Sequence, residues 1–319
     1  ILMNLMMLSM VVVMIVIAMT LQFYVMGKKR FDFLDTGTEQ VSPQKTGPAA
    51  TVLLTVAAAL FCLVALGIPV GSNFIMSFSD SFSIEKFQFT LANYQNVLQP
   101  DGALLEGVKH SLGLASAAAV IGLLIGFSVA YILTYSQFKL KRLIDMLTLV
   151  AMAVPGVVLG IGYIFVWNQK WLQPLGLNLY GKPEILILAS VASAVPLINR
   201  VLVGGMSKVP QELLTASQVE GARLGRRLRT ILLPLLHSSM VSAVLSAFGG
   251  SVFNLAITTI LYPPNYSTLP VYISDSYNDL NFGYAAAATI VGGAFIIAIM
   301  LLLQLILNLG KRKRYADHT

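Results

Sequence analysis

Long runs of apolar residues, separated by short polar segments, dominate the chain. A membrane-spanning helix needs about 20 mostly apolar residues. Seven runs reach that length, and they cover residues 1–26, 49–70, 111–136, 147–167, 185–203, 238–261 and 285–309. The pattern predicts an all-α, polytopic membrane protein in which one leading helix precedes six core transmembrane helices.

Polar segments divide this pattern into parts. Residues 27–48 follow the leading span, begin with basic residues and contain Gly and Pro, as is typical of a linker. Residues 49–310 form the six-span domain, with a polar, arginine-rich loop at about 207–235, and residues 311–319 form a basic tail. Because the chain opens inside an apolar run, we interpret residue 1 as a cut point within a longer polypeptide.

The distribution of Lys and Arg predicts the orientation of the spans, because cytoplasmic loops carry the excess of basic residues. If the end at Lys28 is cytoplasmic, only four of the 21 basic residues lie outside, namely Lys86, Lys109, Lys170 and Lys182. This asymmetry places residues 27–48, the arginine-rich loop and the tail at 311–319 in the cytoplasm.

The composition excludes an ordinary soluble domain. The chain is 56% hydrophobic and 11% charged, with a mean hydropathy of +0.78, whereas soluble domains carry about 25% charged residues. The net charge of +7 is explained by the basic residues of the predicted cytoplasmic segments. The expected partner is therefore membrane lipid and not nucleic acid. The single cysteine, Cys62, lies in an apolar run, which predicts a small buried hydrophobic side chain.

The arginine-rich loop has the most distinctive local pattern. Pro210 permits a new helix to start after it, and Glu212 lies in the first turn of that helix. Gly221 and Gly225 supply flexible points. A short helix–glycine–helix elbow at about 212–229 is the shape that a mechanical coupler needs. The alternative is a loop whose arginines only enforce the topology.

Four residues of this loop, Gly221, Ile231, Leu233 and Pro234, fit the spacing G-x9-I-x-L-P. The spacing resembles the cytoplasmic EAA loop in the membrane subunits of ABC importers, which docks onto a separate ATP-hydrolysing subunit. The family pattern usually begins Glu-Ala-Ala, where this chain has Thr-Ala-Ser, so a glutamate one helical turn away would have to replace the carboxylate. The residues that the resemblance implies in coupling to the ATPase are Glu212, Thr215, Ala216, Ser217, Glu220, Gly221, Arg223, Gly225, Ile231, Leu233 and Pro234.

A second segment, A-V-P-G-V-V-L-G at 153–160, resembles the ferric-iron and phosphonate-type importer permeases. Some of those families fuse two six-span halves in one chain. By this resemblance, the leading span at 1–26 would be the last span of a preceding permease half, and the linker and the six spans would follow it. The resemblance implies a type I ABC importer permease (MetI-like) fold in a bacterial-type inner membrane. It also implies ferric iron as the substrate or, second, a phosphonate or other small organic anion.

The same resemblance implies a set of partners. They are two ATP-binding subunits, a second permease half and an extracytoplasmic substrate-binding protein. ATP and magnesium would be bound by the partner ATPase, so this chain would carry no cofactor and no metal and would not itself be an enzyme.

Small and polar residues within the spans support further predictions. Closely packed or kinked helices are predicted at Pro155, Gly156, Gly160, Gly249 and Gly250, either as static packing or as a moving pair. A role in lining the substrate path is predicted for Asn254, Thr258 and Thr259, with hydrogen bonding between helices as the alternative.

Other functional classes lack support in the sequence. No Asp, Glu, Lys or Arg lies centrally in the six core spans, whereas proton-driven carriers usually need such groups. There is no G-x4-G-K-[ST] phosphate loop, and the three histidines are not spaced as metal ligands. A secondary transporter or channel that is not driven by ATP is the alternative function. A membrane-embedded enzyme would need catalytic groups clustered at one depth, and none is found.

Overall fold

The computed structural model describes residues 47–79, 88–99 and 102–316. The predicted leading span at 1–26 and nearly all of the linker at 27–48 lie outside the described residues. Within the described ranges the chain is helical apart from its connecting segments and one isolated β-bridge between Ser79 and Phe89. The prediction of an all-α protein is confirmed.

The α-helices of the described residues are numbered in chain order. They are α1 (Pro48–Cys62), α2 (Ile68–Ser77), α3 (Ala92–Val97), α4 (Ala103–Tyr135), α5 (Lys141–Ala153), α6 (Gly156–Trp167), α7 (Pro183–Met206), α8 (Gln211–Val219), α9 (Leu224–Arg227), α10 (Leu233–Val252), α11 (Leu255–Leu261), α12 (Leu269–Asn278) and α13 (Phe282–Ala316). Two π-helical turns, Leu63–Gly67 and Leu228–Leu232, join α1 to α2 and α9 to α10. A 3₁₀ helix covers Lys170–Leu175.

Five helical stretches in the described part of the chain are long and apolar enough to cross a membrane. They are Pro48–Ser77, Ala103–Tyr135, Pro183–Met206, Leu224–Val252 and Phe282–Leu307. The helices α5 and α6 add a sixth span if the bent pair is counted as one. This agrees with the six core spans predicted from the apolar runs.

The predicted span at 147–167 is wrong in its start, since the helical segment begins at Lys141, and the expected kink at Pro155 is a break with a bend of 108° between α5 and α6. The break falls at Val154, whose backbone is extended, and at Pro155, which precedes the first residue of α6. A residue before proline is sterically driven out of the helical region. The proline that we expected to kink a helix therefore separates two helices.

The predicted span at 238–261 is also wrong in its extent. The apolar helix begins earlier, ends at Val252, and is followed by the separate short helix α11. Asn254 starts α11, because its side-chain oxygen accepts a hydrogen bond from the N–H of Ile257 at 3.1 Å. Such an N-cap satisfies one of the free N–H groups at the start of a helix.

Other boundaries also differ from the predictions, and two helices extend into polar sequence. Helix α4 starts at Ala103, eight residues before the predicted start at 111, and therefore includes Glu106, Lys109 and His110. Helix α13 continues past the predicted end at 309 and through the first residues of the basic tail to Ala316. Apolarity alone does not mark either end, because both helices extend into polar sequence.

The first of two compact units ends at Ser72, and its described part is α1 with the start of α2. No side chain of α1 is buried. The prediction that Cys62 is buried is wrong, because this cysteine is exposed. An apolar helix that buries no side chain within its own chain is suited to contact with lipid or with another subunit.

The second unit, from Asn73 onward, has a core in which α4, α7 and α10 pack on one another. Glycine and alanine on α4 permit this close approach. A Cβ added at Gly122 would lie 2.8 Å from the Cδ1 of Ile198, and one added at Gly126 would lie 2.7 Å from its Cγ2. The fully buried residues Leu202 and Met206 continue the same interface toward the end of α7.

Candidate functional site

The arginine-rich loop forms a compact elbow, defined here as residues 211–229, between α7 and α10. Pro210 is the N-cap residue of α8, and its backbone angles, φ −59° and ψ 136°, turn the chain into the helix. Glu212 lies in the first turn of α8, where a negative charge interacts favourably with the helix dipole. The predicted helix–glycine–helix shape is therefore present.

Gly221 ends α8 in a Schellman motif. The N–H of Ala222 donates to the carbonyl of Ser217 at 3.0 Å, and the N–H of Gly221 donates to the carbonyl of Gln218 at 3.0 Å. Gly221 itself has φ +83°, a left-handed conformation that glycine adopts without a steric cost. A Cβ at this position would meet no atom within 4 Å, so the backbone turn and not a close contact requires the glycine.

Side chains tie the two short helices of the elbow together. The guanidinium of Arg227 on α9 donates to the side-chain oxygen of Gln218 at 3.2 Å and to the carbonyl of Leu214 at 3.5 Å. Leu214 itself is buried. The elbow is thus held as a compact unit by its glycine turn and by the hydrogen bonds of one arginine.

The outer surface of the elbow is exposed and carries mixed chemistry. Val219 is 88% exposed, and Leu213 is also exposed, so apolar side chains face away from the protein. The exposed predicted coupling residues are Glu212, Thr215, Ala216, Glu220, Gly221, Arg223, Gly225 and Pro234, whereas Ser217, Ile231 and Leu233 are half-buried. A small exposed surface of this composition is suited to contact with another protein.

The elbow enters the next span through the π-helical turn Leu228–Leu232, which ends two residues before Pro234. Proline lacks an N–H, and its ring clashes with the carbonyl four residues earlier in a regular α-helix. A wider turn just before the proline accommodates both effects. The other π-helical turn in the described part of the chain likewise ends two residues before a proline, at Gly67 and Pro69.

A tyrosine that the sequence analysis did not single out connects the entry to the elbow with the core. The hydroxyl of Tyr135, at the end of α4, donates to the carbonyls of Met206 at 2.8 Å and Val209 at 3.4 Å. These carbonyls belong to the end of α7 and the segment before α8. The spacing of Tyr135 from the elbow in sequence gives no signal for this contact.

The predicted small-residue positions differ in what they touch. A Cβ at Gly156 would lie 3.0 Å from the Cβ of Ala256, and one at Gly160 would lie 3.2 Å from Ile260, so both glycines allow α6 to approach α11 closely. A Cβ at Gly249 would lie 3.1 Å from Met300. The space around Gly250 is open. Gly122 and Gly126 on α4 allow a closer approach than any of these glycines. Their role in packing was not predicted, although their G-x3-G spacing is present in the sequence.

The three polar residues expected to line a path all lie at or within α11. Asn254 caps this helix, and Thr258 is buried, with its hydroxyl bonded to the carbonyl of Asn254 at 2.5 Å. Thr259 is exposed, and its hydroxyl donates to the carbonyl of Leu255 at 2.8 Å. Their role in a substrate path stays a prediction.

Residues 89–94, F-T-L-A-N-Y, include the start of α3 and lie on the side of the protein that is predicted to face outward. The side-chain amide of Asn93 donates to the carbonyls of Ser77 at 3.1 Å and Ser79 at 2.8 Å. The hydroxyls of Tyr94 and Ser77 lie 2.7 Å apart. These bonds fix α3 against the end of α2. No group of three or more His, Cys, Asp and Glu in the described ranges could hold a metal ion.

The comparison with protein families identifies the class. Residues 120–314, which include α7, the elbow, α10 and α11, match the family described as "Binding-protein-dependent transport system inner membrane component". The match covers more than half of the chain, and the protein belongs to this family. It is a multi-pass membrane protein and a permease subunit of an ABC importer.

Relatives with named substrates are similar over most of the chain. It is 29% identical over 261 residues to a Salmonella paratyphi A protein named as the 2-aminoethylphosphonate transport system permease protein PhnV, covering 81% of this chain and 94% of that one. It is 26% identical over 235 residues to the ferric transport system permease protein FbpB of Actinobacillus pleuropneumoniae, covering 72% of this chain and 32% of that one. The chain therefore spans about a third of the length of this iron-transport relative.

Solved structures support the same fold. One of them is a bacterial ABC transporter involved in the import of the acidic polysaccharide alginate. The superposition on a chain of this transporter has a TM-score of 0.65 and a sequence identity of 15%, and it covers 83% of this chain and 96% of that one. For the MetNI methionine ABC transporter the TM-score is 0.50, with 19% identity and coverage of 66% and 95%. The predicted ABC importer permease fold is confirmed.

Proposed function

We propose that this protein is the membrane-spanning subunit of an ATP-driven importer in a bacterial-type inner membrane, and that the elbow couples it to a separate ATP-binding subunit. The observation that carries the proposal is the exposed, internally braced elbow within the family match at 120–314. Its G-x9-I-x-L-P spacing corresponds to the EAA loop of ABC importers. Val219 and the residues around it supply the contact surface.

The geometry suits the transmission of movement. Arg227 and the Schellman turn at Gly221 hold α8 and α9 as one body, so a push on α8 is passed on and not absorbed by a flexible loop. Tyr135 connects the entry of the elbow to α4. Closure of two ATP-binding subunits around ATP and magnesium would displace the elbow, and α7 and α10 would move with it.

The remaining partners follow from the same assignment. A second permease half, fused to this chain or separate, would form the substrate path together with it. An extracytoplasmic substrate-binding protein would deliver the cargo to the outer segments near α3 and α12. The alginate transporter that shares this fold was solved in complex with a periplasmic protein bound to an alginate pentasaccharide.

For the cargo we propose ferric iron. The segment A-V-P-G-V-V-L-G and the similarity to FbpB over 72% of this chain support it. A specific observation favours 2-aminoethylphosphonate as a second candidate, because the similarity to PhnV extends over 94% of that protein. Selectivity in such importers rests largely with the binding protein. A measurement of transport by the complete complex is therefore needed to distinguish the two candidate cargoes.

Transport by the complete complex in sealed vesicles tests this function. We expect uptake of ferric iron that requires the binding protein outside the vesicle and ATP on the side of the elbow. ATP-dependent uptake of 2-aminoethylphosphonate instead of ferric iron would contradict the proposed cargo but support the proposed ATP-driven mechanism. Uptake that persists without ATP and stops when the membrane potential is removed would favour a secondary transporter and contradict the proposal.

A further inference from the structure

A charged cluster joins α5 to α7 close to the elbow. The guanidinium Nη2 of Arg200 lies 2.7 Å from the carboxylate Oδ1 of Asp145. The same nitrogen donates to the backbone carbonyl of Asp145 at 3.2 Å and to the hydroxyl oxygen of Thr148 at 3.1 Å. The side-chain amide of Asn199 donates to the same hydroxyl at 3.4 Å.

The cluster is not a solvated surface pair. The side chains of Arg200 and Asp145 are 28% and 35% exposed, whereas Thr148 and Asn199 are buried. Helix α5 turns Asp145 and Thr148 toward α7 and exposes apolar residues such as Leu147. Charged residues within membrane proteins face the protein interior and are paired, because an unpaired charge in hydrocarbon is costly.

The two joined helices occupy mechanically distinct positions. Helix α7 ends at Met206 and leads within four residues into α8, so it carries the elbow directly. Helix α5 ends at the 108° break and continues into α6, whose Gly156 and Gly160 pack on α11. The ion pair is therefore a polar connection between the helix that carries the elbow and the bent helix pair.

The cluster also contains unused hydrogen-bonding capacity. The side-chain oxygen of Asn199 and the Nε of Arg200 are buried and have no hydrogen-bond partner among the described residues. Buried polar groups are normally satisfied, and exceptions call for an explanation. The spare acceptor and the spare donor lie where α5 meets α7, so a movement of one helix along the other would change their surroundings.

We infer that Arg200 and Asp145 are positioning residues that transmit the movement of the elbow from α7 to the bent pair α5–α6. This inference rests on the proposed function. In this role the pair acts through the helices and needs no contact with ATP or cargo. Its loss should leave ATP hydrolysis largely intact while lowering the amount of cargo moved per ATP.

The experiment measures cargo uptake and ATP hydrolysis in the same vesicles, with the complete complex and its binding protein. The variants are Asp145→Asn, Arg200→Gln and the exchanged pair Asp145→Arg with Arg200→Asp. We expect each single variant to lower uptake per ATP by about fivefold or more, in line with the coupling found between contacting residues. The exchanged pair should restore at least part of that loss. The matched control is Arg142→Gln, which removes an exposed cation from the same helix and should change neither quantity.

A purely structural tie would lower the uptake and the ATP hydrolysis of the assembled complex in proportion. Unchanged uptake per ATP in both assembled single variants would therefore overturn the inference. If the single variants do not assemble, the exchanged pair decides alone: normal uptake per ATP supports the inference, and an assembled complex without coupling overturns it. The wild-type complex separates the two claims, because its failure to transport with ATP would contradict the proposed function itself.

Discussion

Gly221 is the residue on which the shape of the elbow most depends. Replacement by Ala would place a Cβ on a backbone with φ +83°, which costs about 1–2 kcal/mol. We expect the amides of Gly221 and Ala222, which donate the two Schellman bonds, to exchange with solvent about fivefold or more faster in Gly221→Ala. Hydrogen exchange followed by mass spectrometry of the elbow peptides measures this.

Gly225 provides the matched control for this prediction. It is equally exposed and equally free of neighbours within 4 Å, but it lies inside α9 without a left-handed backbone. Gly225→Ala should leave exchange unchanged or slow it, since Ala favours a helix by up to about 1 kcal/mol over Gly. Equal effects of the two substitutions would contradict the role assigned to the turn at Gly221.

Leu280 shows the opposite situation, a residue that the backbone does not favour. It has φ +61° and is 72% exposed, and it closes α12 with a second Schellman motif through the bond from the N–H of Asn281 to the carbonyl of Ser276. Leu280→Gly should stabilise the end of α12 by up to about 1 kcal/mol, because the left-handed strain exceeds the entropic cost of glycine.

The same exchange measurement, applied to the peptide that contains Asn281, tests this prediction. Leu280→Ala is the control, because it removes the exposed side chain but keeps the strained backbone, and it should give no gain. A gain of equal size in both variants would show that the side chain, and not the backbone angle, limits the stability of this turn.

At the scale of elements, Ile198 on α7 fits against the two glycines of α4. Because a Cβ at either glycine would approach within 2.8 Å of Ile198, Gly122→Ala and Gly126→Ala should each destabilise the protein by about 1–3 kcal/mol. Gly113→Ala, on the same helix with open space around it, should not. Thermal unfolding of the purified protein in detergent compares the three variants.

A second substitution makes this prediction specific. Ile198→Val removes Cδ1, the atom that a Cβ at Gly122 would meet, but keeps Cγ2, which a Cβ at Gly126 would meet. Ile198→Val should therefore rescue Gly122→Ala and not Gly126→Ala. Rescue of both, or of neither, would contradict the described packing of α4 on α7.

The elements also show where sequence patterns fail. The presence of the spans could be predicted because run length alone distinguishes them. The break at Val154 was predicted only as a kink at Pro155. The break at Asn254 was not predicted, because apolar residues continue on both sides of it and only a local backbone conformation separates the helices. The helix–glycine–helix shape of the elbow could be predicted, because proline restricts its own backbone and glycine is the residue that adopts a left-handed turn without steric cost.

At the scale of the whole molecule, the helix neighbours could not be predicted. Apolar residues pack in lipid as well as in protein, so hydrophobicity does not specify which span contacts which. The contacts that fix α4, α7 and α10 depend on small residues, such as Gly122 and Gly126, and on single polar bonds, such as that of Tyr135. The charge pattern predicts one property of the whole molecule, the cytoplasmic side of the membrane for the elbow.

The most direct test of the account is a photo-crosslink from the elbow in the intact complex. With Cys62 replaced by Ser, Val219→Cys is labelled with a benzophenone maleimide, and Leu280→Cys, on the predicted outer side, serves as the control. The account predicts that light joins position 219, and not position 280, to an ATP-binding subunit. An assembled complex in which position 219 forms no such adduct, or reacts with an impermeant thiol reagent from outside the cell, would contradict it.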